Sequence, residues 1–147
     1  MIYEEYYKKF RNYGQIKKEI NDLENKKISL MRMADIQAIA PKDGNGINND
    51  KDKFGIYLAE LEEVENILIK DKKVLEELKK QLKEKEKELR ESKEILDKVY
   101  LYKYLYKMKY LQIAPKIGYE KTKTYDLINE VAKNLEKIAF AEKNGKM

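Results

Sequence analysis

Residues 61–96 read LEEVENILIKDKKVLEELKKQLKEKEKELRESKEIL, and this stretch decides the fold. Leucine recurs in it at every seventh position, at Leu61, Leu68, Leu75, Leu82, Leu89 and Leu96. A strict seven-residue repeat keeps one stripe of a helix against a partner helix, because on a straight helix that stripe would drift around the surface. The stretch therefore predicts a long helix, with these six leucines in a coiled-coil seam.

Residues 2–38 offer a partner for that helix, because their apolar positions recur at steps of three and four. A segment rich in turn-forming residues, 41–50, separates the two helical patterns and predicts a loop. The seam can close in two ways: as an antiparallel hairpin within one chain, or against the same helix of a second copy. Between Lys79 and Glu94 only Leu82 and Leu89 are apolar, which predicts a thinly packed or free section.

The composition favours extended helices over a single compact sphere. Charged residues make up 40% of the chain, against roughly 25% in an average globular domain, so much of it must lie on solvated faces. Only two prolines and six glycines interrupt the helical patterns. We therefore expect an all-α fold, with a helical arm over residues 1–97 and a separate small module over residues 98–147.

Several classes of function are disfavoured by what the sequence lacks. The chain has no cysteine and no histidine, which removes the commonest metal ligands and the usual general base. We expect no enzymatic activity, no cofactor and no metal site. The first residues, MIYEEY, do not resemble a signal peptide, and no apolar run has the length of a membrane span. We therefore expect a cytoplasmic protein without a membrane partner.

The excess positive charge lies in the last third of the chain. Residues 98–147 contain eleven lysines and five acidic residues, a net charge of +6, whereas residues 1–97 contain 21 basic and 22 acidic residues, a net charge of −1. This asymmetry indicates a polyanion-binding module on a nearly neutral arm. The alternative is that these lysines are ordinary solubilising surface charges.

The module has the pattern of a helix-turn-helix. Residues 99–110 alternate between apolar and polar, but we predict a helix there because no other segment offers a strand partner. Residues 111–117 come next, Gly118 supplies a turn, and a last helix covers about 120–141. Ile113, Ala114 and Ile117 are expected to pack against Leu127 and Val131.

DNA binding would follow from this layout, with the last helix entering the major groove. The residues expected to read base edges are Thr122, Tyr125, Asp126 and Asn129. The residues expected to contact phosphates are Lys107, Lys109, Lys116, Lys121, Lys123 and Lys133.

The segments Lys103-Tyr104-Leu105 and Tyr110-Leu111-Gln112-Ile113-Ala114-Pro115-Lys116-Ile117-Gly118-Tyr119 resemble the C-terminal helix-turn-helix of ArpU/RinA-type phage transcriptional regulators. That module is itself similar to the promoter-reading helix-turn-helix of bacterial sigma factors. The resemblance implies a phage or prophage late-gene regulator that acts on host transcription, with host RNA polymerase as a candidate partner. The sequence departs from the family at Glu120, where Ser or Thr is common, and at Pro115, which predicts a kinked or late-starting first helix.

These observations lead to one functional prediction and one rival. We expect a sequence-specific DNA-binding transcriptional regulator that forms homo-oligomers through its helical arm and binds double-stranded DNA. The rival is a coiled-coil scaffold that binds proteins and no DNA, which the seven-residue repeat and the twelve tyrosines also suit.

Overall fold

A computed structural model describes the backbone of residues 1–39 and 47–144, and the side chains of residues 1–35 and 55–144. Its elements in chain order are α1 (Ile2–Ile39), α2 (Ile47–Glu91), α3 (Ile95–Tyr100), a π-helical turn (Leu101–Leu105), α4 (Tyr110–Ile117) and α5 (Lys121–Asn144). No strand occurs within these ranges, which confirms the all-α class for them. Residues 41–46 of the predicted loop 41–50 lie outside the described residues, and its last four residues belong to α2.

The chain divides into two compact units. The hairpin unit covers Tyr13–Glu77, and the C-terminal unit combines Met1–Asn12 with Leu78–Met147. This division does not coincide with the boundary predicted between residues 97 and 98. The reason is that the start of α1 and the end of α2 share one apolar core with the C-terminal helices.

The core of the hairpin unit contains the first three leucines of the predicted seam. Leu61, Leu68 and Leu75 of α2 belong to one apolar cluster with Ile20 and Leu30 of α1. Ion pairs join the same helices, from Lys27 to Glu65 at 3.6 Å and from Lys72 to Glu24 at 3.4 Å. From the first ion pair to the second, the residue number rises on α2 and falls on α1, so the two helices are antiparallel here.

The other three leucines of the seam, Leu82, Leu89 and Leu96, belong to the core of the C-terminal unit. Leu89 has no exposed surface and lies in one cluster with Tyr3 and Tyr6 from the first turns of α1. The prediction of thin packing over residues 79–94 is therefore wrong at Leu89. The tyrosine rings add a large buried apolar area to this core, and the spacing of the leucines does not predict that area.

A buried carboxylate ties α1 to the break between α2 and α3. Asp97 has no exposed surface, and its side chain accepts a hydrogen bond of 2.9 Å from the backbone N–H of Tyr3 and one of 2.7 Å from the hydroxyl of Ser92. The Tyr3 N–H lies in the first turn of α1, where no carbonyl of the same helix can accept it. Asp97 therefore caps α1 from another part of the chain.

The segment 99–110 is helical only in part. The helix prediction is correct through Leu105, where the chain forms a π-helical turn with the Tyr106 N–H donating to the Leu101 carbonyl at 3.0 Å. It is wrong for residues 106–109, where Lys107 has a φ of 54°. The following helix, α4, starts afresh at Tyr110 and contains Pro115.

Aromatic stacking and polar contacts connect α1 with α3 and α5. The Tyr100 ring lies 5.6 Å from the Tyr3 ring, and burial raises the pKa of Tyr100 above its ordinary value. Asn134 of α5 donates a hydrogen bond of 2.7 Å to the Tyr3 hydroxyl. Arg11 pairs with Glu142 at 2.8 Å. These contacts fix the first turns of α1 against α5.

We predict that Asp97→Ala lowers the free energy of unfolding by about 2–4 kcal/mol, because two donors lose their shared acceptor, one of them a buried backbone N–H. Urea denaturation followed by circular dichroism measures the change. Glu91→Ala, at an exposed position of α2, is the matched control and should shift stability by less than about 0.5 kcal/mol. Equal effects of the two substitutions would contradict the assigned role of Asp97.

Candidate nucleic-acid interface

A three-residue turn, 118–120, joins α4 to α5. Gly118 has a φ of 76°, in the left-handed region that a residue with a β-carbon adopts only at a cost. The N–H groups of Gly118 and Tyr119 both donate to the Ala114 carbonyl, at 3.0 and 3.2 Å. These hydrogen bonds satisfy a carbonyl that the helix leaves without a partner, so α4 ends here and the chain turns into α5.

The inner face of α5 packs against α4 as the apolar spacing predicts. Ile113 and Val131 have no exposed surface, and Ile117 is partly buried against the same cluster as Leu127. Thr124 is also fully buried, and its hydroxyl donates to the Glu120 carbonyl at 2.9 Å. The buried face of α5 consists of Thr124, Leu127, Ile128, Val131, Leu135 and Ile138.

The outer face of α5 carries the side chains that the sequence assigns to base reading. Thr122, Tyr125, Asp126 and Asn129 are all exposed. At 100° per residue, Thr122, Asp126 and Asn129 lie within about 60° of one another around the helix, and Tyr125 lies at one flank of this group. The four residues therefore form one continuous polar surface over the first turns of α5.

The six lysines assigned to phosphate contacts are likewise exposed, on three successive parts of the chain. Lys107 and Lys109 lie in the link before α4, and Lys116 lies in the last turn of α4. Lys121 and Lys123 belong to the first turn of α5, whereas Lys133 lies further along that helix. Lys121 and Lys123 thus flank the outer face of α5 at its N-terminal end.

A shallow notch opens beside this face, and Tyr110, Lys121, Thr122 and Tyr125 line its volume of about 270 Å³. The rings of Tyr110 and Tyr125 meet edge to face, with their centroids 6.1 Å apart and their planes at 73°. Tyr110 keeps 40% and Tyr125 55% of its surface exposed. The notch therefore combines two accessible aromatic rings with one ammonium group and one hydroxyl.

Sequence reasoning missed Tyr110 as a member of this surface. The residue lies fifteen positions before Tyr125, in a segment where tyrosine and lysine alternate, and nothing in that pattern distinguishes it from Tyr102, Tyr104 or Tyr106. Only the fresh start of α4 at Tyr110 and the turn at Gly118 bring the two rings together.

A second concavity of about 400 Å³ lies on the C-terminal unit, between the beginning of α1 and the end of α2. Two of its three lysines have partners in the chain: Lys85 pairs with Glu5 at 2.7 Å and with Glu88 at 3.0 Å, and Lys9 donates to Gln81 at 2.9 Å. The ion pair with Lys85 holds the pKa of Glu5 below its ordinary value. These contacts are those of a surface where two helices pack.

Among the described residues, none of the helices is long and apolar enough to cross a membrane, and no group of three or more acidic side chains could hold a metal ion. Comparison of the chain with protein-family models, with curated proteins and with solved structures finds no match. The resemblance of residues 103–119 to the phage regulators therefore stays a prediction.

Proposed function

We propose that the C-terminal unit binds double-stranded DNA as a sequence-specific transcriptional regulator, with the first turns of α5 in the major groove. The observation that carries the proposal is the division of α5 into two faces. One face is buried against α4, and the other is polar, exposed and bordered by lysines. A helix supported in this way can enter a groove about 12 Å wide with its N-terminal half leading.

The chemistry of the outer face suits the edges of base pairs. The amide of Asn129 can both donate to and accept from adenine, which is a bidentate contact that other base pairs do not match. The carboxylate of Asp126 can accept from the amino group of cytosine, and the hydroxyls of Thr122 and Tyr125 can donate or accept. The proposal assigns sequence preference to these four side chains.

The lysines supply the part of the affinity that does not depend on sequence. Lys107, Lys109, Lys116, Lys121, Lys123 and Lys133 would neutralise phosphates and release the cations condensed on DNA, which is favourable at low salt. The family resemblance extends the proposal to a phage or prophage protein that acts on host transcription and contacts host RNA polymerase.

Exposed apolar side chains on the hairpin unit favour self-association as a second property. Ile28 and Met31 of α1 and Leu58 and Ile69 of α2 keep between 45% and 56% of their surfaces exposed. Large apolar side chains grouped on a helix pair commonly mark a protein interface. We propose that a second copy of the chain covers them. A scaffold protein that binds no DNA would use the same surface for self-association. Only a measurement of DNA binding therefore distinguishes the regulator from the scaffold.

We predict that the double variant Lys121→Glu/Lys123→Glu weakens binding to all duplexes at least tenfold and lowers the slope of log affinity against log salt by about two, because two phosphate contacts are lost. Binding of the full chain to fragmented phage and bacterial DNA, measured as salt is raised, tests both effects.

The matched control for this experiment is Lys83→Glu/Lys87→Glu, which makes the same charge change at two exposed positions of α2. It should leave affinity within about twofold of the original if binding is local to α5. Equal losses in the two double variants would mean that only net charge matters. Absence of DNA binding at physiological salt would leave the scaffold as the better account.

We predict that Asn129→Ala relaxes preference at one base pair of the selected sites and costs about 1–3 kcal/mol against the preferred base there, because the bidentate amide contact disappears. Selection of bound sequences from a random DNA pool, for both proteins, measures the change. A loss of affinity that is uniform across sequences would contradict the assignment of Asn129 to base reading.

We predict that the chain sediments as a dimer or larger species and that Ile28→Glu/Ile69→Glu converts it to monomer, because two charges would have to be buried in the interface. Ser29→Glu/Asn66→Glu adds the same charge at exposed polar positions of the same helices and is the control. A monomeric original protein at high concentration would refute self-association through this surface.

A further inference from the structure

The notch between Tyr110 and Tyr125 contains two exposed aromatic rings, which hydrogen bonding to the base edges of a duplex does not require. We propose that it receives one DNA base that has left the helical stack, so that the regulator prefers DNA with an unpaired base next to the contacted duplex. This inference rests on the proposed DNA-binding function and specifies the form of the DNA.

Part of the aromatic surface of the notch stays exposed to water. The chain buries Tyr3, Tyr6 and Tyr100 almost completely, yet Tyr110 and Tyr125 keep 40% and 55% of their surfaces exposed. Covering apolar area contributes about 25 cal/mol per Å², so two adjacent exposed rings favour a ligand that covers them. In an edge-to-face pair at 6.1 Å, at most one ring face is used by the other ring. Flat faces therefore remain available for stacking.

The flat rings favour a ligand that offers a whole flat face. A base inside a duplex has neighbours on both faces and offers only its edges to a protein, whereas an unpaired base offers a whole face. Proteins that bind single-stranded nucleic acids use exposed aromatic rings in this way, and each stacked base is worth about 1–3 kcal/mol. Tyr110 and Tyr125 together form such a platform at the side of α5.

The charge around the notch suits an anionic ligand. Lys121 lines the notch and Lys109 precedes Tyr110 in the chain, whereas no acidic residue among those that the structure describes lines it. A ligand with a flat ring and an attached anion satisfies both the rings and the ammonium groups, and a nucleotide has this combination. The Thr122 hydroxyl can donate to or accept from the polar edge of the base.

The notch lies close to the face of α5 that is proposed to contact the duplex. Tyr125 lies about 60° around α5 from Thr122, at the flank of the outer face proposed to read the duplex. A base displaced from the contacted duplex would therefore have a short path into the notch. Displacement costs a few kcal/mol in a perfect duplex and least where the base is already unpaired. The preference for DNA containing an unpaired base follows from this difference.

The test compares three synthetic DNAs of one sequence: a full duplex, the same duplex with a single bulged 2-aminopurine, and the isolated strand. We expect the full-length protein to bind the bulged duplex roughly tenfold more tightly than the full duplex, as one stacked base implies. Because stacking quenches 2-aminopurine, its fluorescence should also fall when the protein binds.

Variants of the two rings separate stacking from general affinity. Tyr110→Ala and Tyr125→Ala should each remove most of the preference and leave the probe bright, whereas Tyr110→Phe keeps the ring and should retain both effects. Tyr119→Ala is the matched control, because Tyr119 is 44% exposed in the turn but does not line the notch. Circular dichroism of each variant checks that the fold is kept.

Two outcomes would overturn the proposal in distinguishable ways. Equal binding of full and bulged duplexes, with no effect of Tyr110→Ala but a loss in Lys121→Glu/Lys123→Glu, would refute the notch and leave the DNA-binding function standing. Failure to bind any of the three DNAs would refute the DNA-binding function and the notch with it.

Discussion

The C-terminal unit depends on the buried carboxylate of Asp97. This side chain has no exposed surface and accepts hydrogen bonds from the first turn of α1, at Tyr3, and from the break after α2, at Ser92. A buried polar group without partners is costly, so the three segments are stable together only in an arrangement that supplies both donors. The constraint explains why a chain with so many charged residues forms a defined core at this end.

Tyr3 connects the buried Asp97 with α5, the helix that carries the candidate interface. Its backbone N–H donates to Asp97, its ring stacks on Tyr100, and its hydroxyl accepts a hydrogen bond from Asn134 of α5. The first residues of the chain thus contact and support α5, the helix proposed to enter DNA. Side chains on a rigid helix lose less entropy when they bind than those on a flexible loop, so this support would favour the proposed DNA recognition.

In the proposed function, the outer face of α5 recognises a base by its edge, and the notch beside it recognises a base by its face. They share Thr122 and Tyr125, and Lys121 lines the notch while its ammonium group can also reach a phosphate. Edge recognition needs polar groups on a helix, whereas face recognition needs flat rings that remain in water. The short link before α4, with its left-handed Lys107, separates Tyr110 from the preceding tyrosines and makes the second mode available.

Much of the fold was predictable from local patterns in the sequence. The leucine repeat and the scarcity of proline and glycine indicate long helices. The step of four between the buried Leu127 and Val131 marks one face of α5, and Asn129, two residues from each, lies on the opposite, exposed face. Such patterns work because a helix places residues on its faces according to spacing alone. They could not predict the break at residues 92–94, since Ser92 and Asp97 look like ordinary residues of a charged helix face.

The sequence by itself therefore determined the all-α class, the amphipathic faces of the helices, the turn at Gly118 and the surplus of lysine in the last third of the chain. Only the tertiary structure decided that Tyr3 and Tyr6 complete the core of the C-terminal unit, that Asp97 is buried, and that Tyr110 meets Tyr125. The physical reason is distance along the chain. Residues 94 positions apart, as Tyr3 and Asp97 are, have no periodic relation, and only the packing of the helices between them sets which side chains meet.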